Sequence, residues 1–168
     1  MPAPVNFGRG HRFAAYLQCS ADSRGVTRVG LAIHGLCPLI QVFDMPTSLI
    51  FYRDVLGLEE VQKSGQGDQV DWAWLRHGTA ELMLNTAYEA DQRPAEPDPA
   101  RVAAHADTAL FLGCRDLDAA HSHLIAHGVE AEPPKVAPYG MRQLYAKDPD
   151  GYGICLQWPI GETSSKAE

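Results

Sequence analysis

The chain states one structural plan twice. Cys37 to Leu84 and Ala109 to Leu156 each read as a strand, an acidic turn, a short helix closed by glycine, and three further strands. The first copy begins CPLIQVFDMPTSLIFYRDVLG and the second ALFLGCRDLDAAHSHLIAHG, so Asp44 precedes Gly57 by 13 residues and Asp116 precedes Gly128 by 12. A repeat constrains a fold more than any single residue, because each copy must bury its apolar face against something. Two copies related by a pseudo-twofold enclose a cavity between their sheets. The predicted class is α+β: two βαβββ modules in tandem with a cup-shaped cavity.

The punctuation within each copy follows from local chemistry. Asp44 is a capping carboxylate with Pro46 tolerated in the first turn, and Leu49, Ile50, Tyr52, Val55 and Leu56 form the predicted apolar stripe up to Gly57. Strands are predicted at 39–43, 58–63, 70–75 and 81–85, separated by the turn signals of residues 64–68 and His77-Gly78. In the second copy, strands are predicted at 108–114, 129–132, 141–146 and 153–158. Asp116 or Asp118 caps its helix, with Leu117, Ala120, Leu124 and Ile125 facing inward, and Asp148-Pro149-Asp150-Gly151 reads as a tight turn. Residues 87–106 carry prolines and carboxylates and suit a linker. The expected domain is 31–160, with modules at about 36–86 and 107–159. An N-terminal extension of 1–30, including a short helix around Phe13 to Leu17, precedes it, and a polar tail of 161–168 follows.

Composition narrows the classes of partner. The 168 residues are 45% hydrophobic and 21% charged, an ordinary globular balance. With 14 Lys plus Arg against 21 Asp plus Glu, the net charge of -7 repels phosphate backbones and disfavours nucleic acid, while suiting a neutral or cationic ligand. Cys19, Cys37, Cys114 and Cys155 lie far apart without a CxxC pair, which suggests neither a zinc knuckle nor a disulfide framework and fits reduced thiols in a cytoplasm. Charges interrupt the first 30 residues, so no secretory signal or membrane helix is expected there.

The run DMPTSLIFYRDVLG at 44–57 and the later YAKDPDGYGICLQW resemble the vicinal oxygen chelate superfamily, which includes glyoxalase I, extradiol dioxygenases, fosfomycin-modifying enzymes and bleomycin-resistance proteins. The resemblance spans residues 35 to 160 and implies a homodimer. It also implies where metal ligands belong. One stands seven residues before each capping Asp, here Cys37 and Ala109. Another stands four residues after the glycine of the DPDG turn, here Cys155, with Met83 as its counterpart in the first copy. Hard divalent ions want carboxylate or imidazole, so no metal and no cofactor is expected. Glu81, on the strand face of Met83, is a candidate displaced carboxylate or a solvated edge residue. His105 belongs at the mouth of the cavity, and His123 and His127, one helical turn apart, belong on an exposed face. Cys37 reads as a buried structural cysteine rather than a nucleophile.

Aromatic residues are the remaining site candidates. Trp72 and Trp74 share a strand face, and Tyr139, Tyr145 and Trp158 gather in the second copy. The segment Pro138-Tyr139-Gly140-Met141-Arg142 is similar to the P-W-G-x-R segment of bleomycin-resistance proteins. The expected ligand-binding set is therefore Cys37, Trp72, Trp74, Met83, Ala109, Tyr139, Arg142, Tyr145 and Cys155. The favoured function is binding of a small aromatic or cationic molecule in a metal-free cavity, with drug sequestration as a role. The alternative is a metal-dependent or metal-free lyase or isomerase of the glyoxalase type using Cys37, Glu81 and Cys155.

Overall fold

Two four-stranded sheets, each with its own helix, carry the repeat. The computed structural model describes residues 33–89 and 91–161. The chain divides into two units, Met1–Gly35 and Leu36–Glu168, and the second is the subject below. The expected extension of 1–30, its short helix, Cys19 and residues 162–168 of the tail lie outside the described residues.

In the first module β1 (Leu39–Val42), β2 (Glu59–Lys63), β3 (Trp72–His77) and β4 (Ala80–Thr86) form a sheet of order β1-β4-β3-β2. In the second, β5 (Ala109–Gly113), β6 (Lys135–Val136), β7 (Met141–Lys147) and β8 (Gly153–Pro159) repeat it as β5-β8-β7-β6. The opening strand of each module pairs in parallel with the last, and the other pairings are antiparallel. Alternation along the strands puts Ile40, Val42, Ala73, Leu75, Leu82 and Leu84 into the core with the first helix. The opposite, open face of each sheet carries the partly exposed Trp72, Trp74 and Met83 in the first module and the exposed Phe111 and Tyr145 in the second, where Gln143 and Cys155 of the same face are buried.

The first helix starts as the sequence predicts and then changes type. The Asp44 carboxylate accepts from the Thr47 amide at 3.1 Å and its hydroxyl at 2.6 Å, opening α1 (Met45–Leu49). Residues Ile50–Val55 continue as π-helix, and Leu56 N–H donates to the Phe51 carbonyl at 2.9 Å, a five-residue step. The wider turn breaks the 3.6-residue stripe. Phe51 is therefore buried and Ile50 exposed, reversing their expected places. Gly57, at φ +77°, ends the helix.

Three further expectations need correction. The second helix, capped by Asp116, buries Leu117 and Leu124 but leaves Ile125 half exposed. No strand forms at 129–132; only Ala131 bridges to Ala146, and the edge strand is the two-residue β6. Pro133 and Pro134 supply no N–H to a ladder and push pairing past themselves. The linker contains structure: Asp98 caps α2 (Pro99–Ala104), a 3-10 turn follows at His105–Asp107, and the second-module helix is thus α3 (Leu117–Ala126).

The DPDG turn joins the modules. Asp148 accepts from the Asp150 and Tyr152 amides at 3.0 and 2.8 Å and from the Tyr52 hydroxyl at 2.8 Å. Asp150 accepts from the Phe43 amide at 2.8 Å and the Ser48 hydroxyl at 3.3 Å. Both carboxylates are buried. Gly151 sits at φ +89°, where a Cβ would stand 2.8 Å from the Val102 carbonyl oxygen, so α2 closes directly over the turn.

Burial pushes the Asp148 and Asp150 carboxyls above the ordinary value of 3.8. A group with a raised native pKa binds protons more tightly folded than unfolded, so its contribution to stability grows as pH falls through the native pKa toward the unfolded value. Asp148→Asn removes one such group. Wild type should therefore gain stability relative to this variant as urea midpoints are compared from neutral pH down to about pH 4; a difference independent of pH would exclude a raised Asp148 pKa.

Candidate functional site: the open faces of the two sheets

Strand register lays the two modules over one another. In the first, Leu39 pairs with Met83 and Met83 with Trp74. In the second, Phe111 pairs with Cys155 and Cys155 with Tyr145. Leu39 and Phe111 each stand five residues before their capping Asp, so Met83 and Cys155 are structural equivalents, as are Trp74 and Tyr145. One row along, Gln41, Asn85 and Trp72 correspond to Gly113, Gln157 and Gln143. The core side of β3 is taken by Ala73 and Leu75, both fully buried, which leaves Trp72 and Trp74 on the open face.

The positions at which the resemblance implies metal ligands fall in this frame. Met83 and Cys155 occupy the centre of each open row, and Ala109, paired with Gly153, presents a methyl group. Cys37 lies two residues before Leu39 and close enough to Glu81 to feel its charge. Burial first, and then the Glu81 carboxylate, push its thiol above 9.0. Burial also raises Cys155. Among the described residues, no three His, Cys, Asp or Glu side chains converge on a point that a metal ion could occupy. Two thiols, a thioether and a methyl offer a hard divalent ion neither carboxylate nor imidazole.

The second open face is polar and aromatic together. Phe111 and Tyr145, about half exposed, flank Cys155, which has no exposed surface. The Tyr139 and Tyr145 hydroxyls reach Gln143 Oε1 at 2.8 and 3.1 Å, and Gln143 Nε2 reaches Gln157 Oε1 at 2.9 Å. A cavity of about 100 Å³ beside β6 is lined in part by Gln143 and Tyr145. Sequence reasoning passed over Phe111, Gln143 and Gln157, although their odd-numbered alternation with Leu112, Leu144 and Leu156 carried the signal.

Other candidates stand elsewhere. Arg142 alternates onto the helix side and binds Asp118 of α3 through both guanidinium nitrogens, at 2.8 and 2.7 Å, so it is not brought together with Tyr145. Trp158, its cross-strand partner, stacks under Arg115 at 4.9 Å. The His105 ring lies flat on Tyr152 at 4.0 Å, with Nδ1 against the Asp150 carbonyl at 2.8 Å. His123 reaches the Val55 carbonyl at 2.9 Å, and His127 leans on it at 4.2 Å.

Comparison with known proteins agrees with this geometry. A solved structure of SMU.1112c overlays with a TM-score of 0.59 at 22% identity, covering 76% of this chain and 100% of that one. TnmS3, an antibiotic binding protein from Streptomyces sp. CB03234, overlays with a TM-score of 0.58 at 25% identity, covering 77% and 99%. The uncharacterized protein YaeR of Escherichia coli (strain K12) is 31% identical over 117 residues, 67% of this chain and 86% of that protein. The family model of the Glyoxalase/Bleomycin resistance protein/Dioxygenase superfamily matches residues 33–156. With its repeated sheets, its paired rows and this match over most of its length, the chain belongs to that superfamily.

Proposed function

We propose that this chain is a binding member of its superfamily, holding a small aromatic or cationic molecule against the open faces without a metal ion, in a drug-sequestration role. The observation that carries the proposal is the pair of equivalent rows, Leu39–Met83–Trp74 and Phe111–Cys155–Tyr145. Their centres hold sulfur where a metal-dependent relative needs a hard donor, and an aromatic ring stands beside each centre. Flat rings gain from stacking on Trp and Tyr, and cations from the ring faces. The net charge of -7 favours a cation over an anion at long range. TnmS3, an antibiotic binding protein, lends support by its likeness over most of the chain. Homodimeric assembly in the cytoplasm belongs to the same proposal. No helix among the described residues is long and apolar enough to cross a membrane.

The test is a thermal-shift screen of aromatic metabolites, cationic aromatics and glycopeptide antibiotics, followed by titration of the best ligand. Trp74→Ala and Tyr145→Ala should each weaken that ligand by about 0.5–2 kcal/mol, a loss of roughly two- to thirtyfold. Protein purified without chelator should carry far less than one metal ion per subunit. Stoichiometric metal with measurable lyase turnover, and no stabilisation by any compound, would sink the proposal.

The alternative of a glyoxalase-type lyase or isomerase using Cys37, Glu81 and Cys155 meets an obstacle, because burial and the Glu81 charge both raise the Cys37 thiol. A carboxylate next to a thiol raises the thiol pKa, the reverse of what a thiolate nucleophile or ligand needs. Glu81→Gln should therefore lower the Cys37 pKa, read as an acid shift in the pH midpoint of site-resolved iodoacetamide labelling. A midpoint that moves alkaline or stays still would show that Glu81 does not act on this thiol.

A further inference from the structure

Two tyrosines at the second open face are turned the wrong way round for exposed residues. A tyrosine at a surface ordinarily covers its ring and leaves its hydroxyl in water. Tyr139 and Tyr145 do the reverse. They are 67% and 52% exposed, yet both hydroxyls reach inward to one atom, Oε1 of Gln143, at 2.8 and 3.1 Å. Gln143 is itself only 5% exposed, and its amide nitrogen is fixed on Gln157 Oε1 at 2.9 Å. One buried amide thus holds two exposed rings, one on β7 and one in the turn before it. Phe111, also exposed, completes the group from β5, in the row of Tyr145. Exposed apolar surface gathered in this way marks a binding face, and rings already held in place spare a ligand the cost of ordering them.

The direction of these bonds decides what the face can read. An amide oxygen has two lone pairs, and a phenol has one proton. Both lone pairs of Gln143 Oε1 receive tyrosine protons, and Gln143 Nε2 donates onward to Gln157. Each phenol has given its proton inward, so toward an incoming molecule its oxygen acts as an acceptor. The Tyr145 hydroxyl also touches the Cys155 thiol, which makes Tyr139 the more open of the two acceptors. Charge does not set the preference here. No carboxylate stands on β5, β7 or β8. Lys135, opposite Gln143 on β6, is paired with Glu132, and Lys147 stands one row beyond Tyr145.

We infer that the second open face binds an uncharged planar aromatic molecule with an N–H or O–H at its edge. The donor lies on the phenol oxygens of Tyr139 and Tyr145, and the ring packs on the faces of Tyr145 and Phe111. Gln143 is a positioning residue that acts through the two hydroxyls it holds. The inference rests on the binding role proposed above and narrows it to one face and one class of ligand.

Indole is the probe, and benzofuran, the same shape with a ring oxygen in place of the N–H, is its control. Each is titrated into the full chain and followed by NMR of the aromatic side chains. Indole should bind saturably and move the signals of Phe111, Tyr139 and Tyr145, and benzofuran should bind about three- to tenfold more weakly. Tyr139→Phe combined with Tyr145→Phe keeps both rings and removes both oxygens, so the two compounds should then bind about equally. A purely structural role for the pair would instead weaken both compounds alike and preserve the difference between them. Trp74→Ala should leave both affinities unchanged. The inference is overturned if indole shows no saturable binding, if benzofuran binds wild type as well as indole does, or if the signals that move are those of Trp72 and Trp74. It is also overturned if Tyr139 and Tyr145 shift on dilution of the free protein instead, which would make this face a contact between copies of the chain. Equal binding of the two compounds, or binding at the tryptophans, leaves the wider aromatic-binding role standing; that role falls only with a blank thermal-shift screen and stoichiometric metal.

Discussion

Two buried carboxylates in one turn set how the two modules dock. A carboxylate taken out of water must be met by donors, or it costs several kcal/mol or loses its charge. Asp148 and Asp150 meet that demand by reaching outside their own module, to the Tyr52 and Ser48 hydroxyls and the Phe43 amide. These donors belong to a single helix and the residue leading into it. The turn therefore docks in one register, and a slip would strand buried acceptors at about 1–3 kcal/mol each. Gly151 lets α2 approach as closely as it does, and the flat stack of His105 on Tyr152 seals the contact.

Once the modules are fixed, the repeat gives them the same frame with different surfaces. Trp74 and Tyr145 occupy one position twice, as do Met83 and Cys155. The row containing Trp72, Asn85 and Gln41 in the first module contains Gln143, Gln157 and Gly113 in the second. Both faces carry amides, but one adds indole and thioether to them and the other phenol and a covered thiol. Backbone pairing sets the positions, and side chains decide what each face can bind. Side chains can differ at these positions without disturbing a single ladder hydrogen bond, which is how one fold comes to serve different functions.

The linker holds more of the structure than its composition suggests. Arg93 ties it to Asp44 and Phe43, Arg101 reaches Gln41 at 3.2 Å, and Val102 packs on Gly151. Polar and proline-rich in sequence, it works as a strap across both modules. Its short helix escapes periodicity because six residues make less than two turns.

The sequence by itself determined the repeat, the strand alternation and the helix starts. Those depend on local rules: a capping Asp, a proline in the first turn, a glycine at positive φ, and side chains that alternate with period two. The family resemblance, rather than the residues alone, singled out Cys37, Ala109 and Cys155, by their offsets from Asp44, Asp116 and Gly151. Tertiary structure decided the rest. The register between strands agrees with the counterpart positions of Met83 and Cys155, and only the folded strand turns Arg142 away toward Asp118. Only the folded helix buries Phe51 in place of Ile50, through a π-turn that no periodicity predicts. The DPDG run could be read as a turn from its residues, but its role as the joint between modules could not, because the donors for its carboxylates lie about a hundred residues away in the chain.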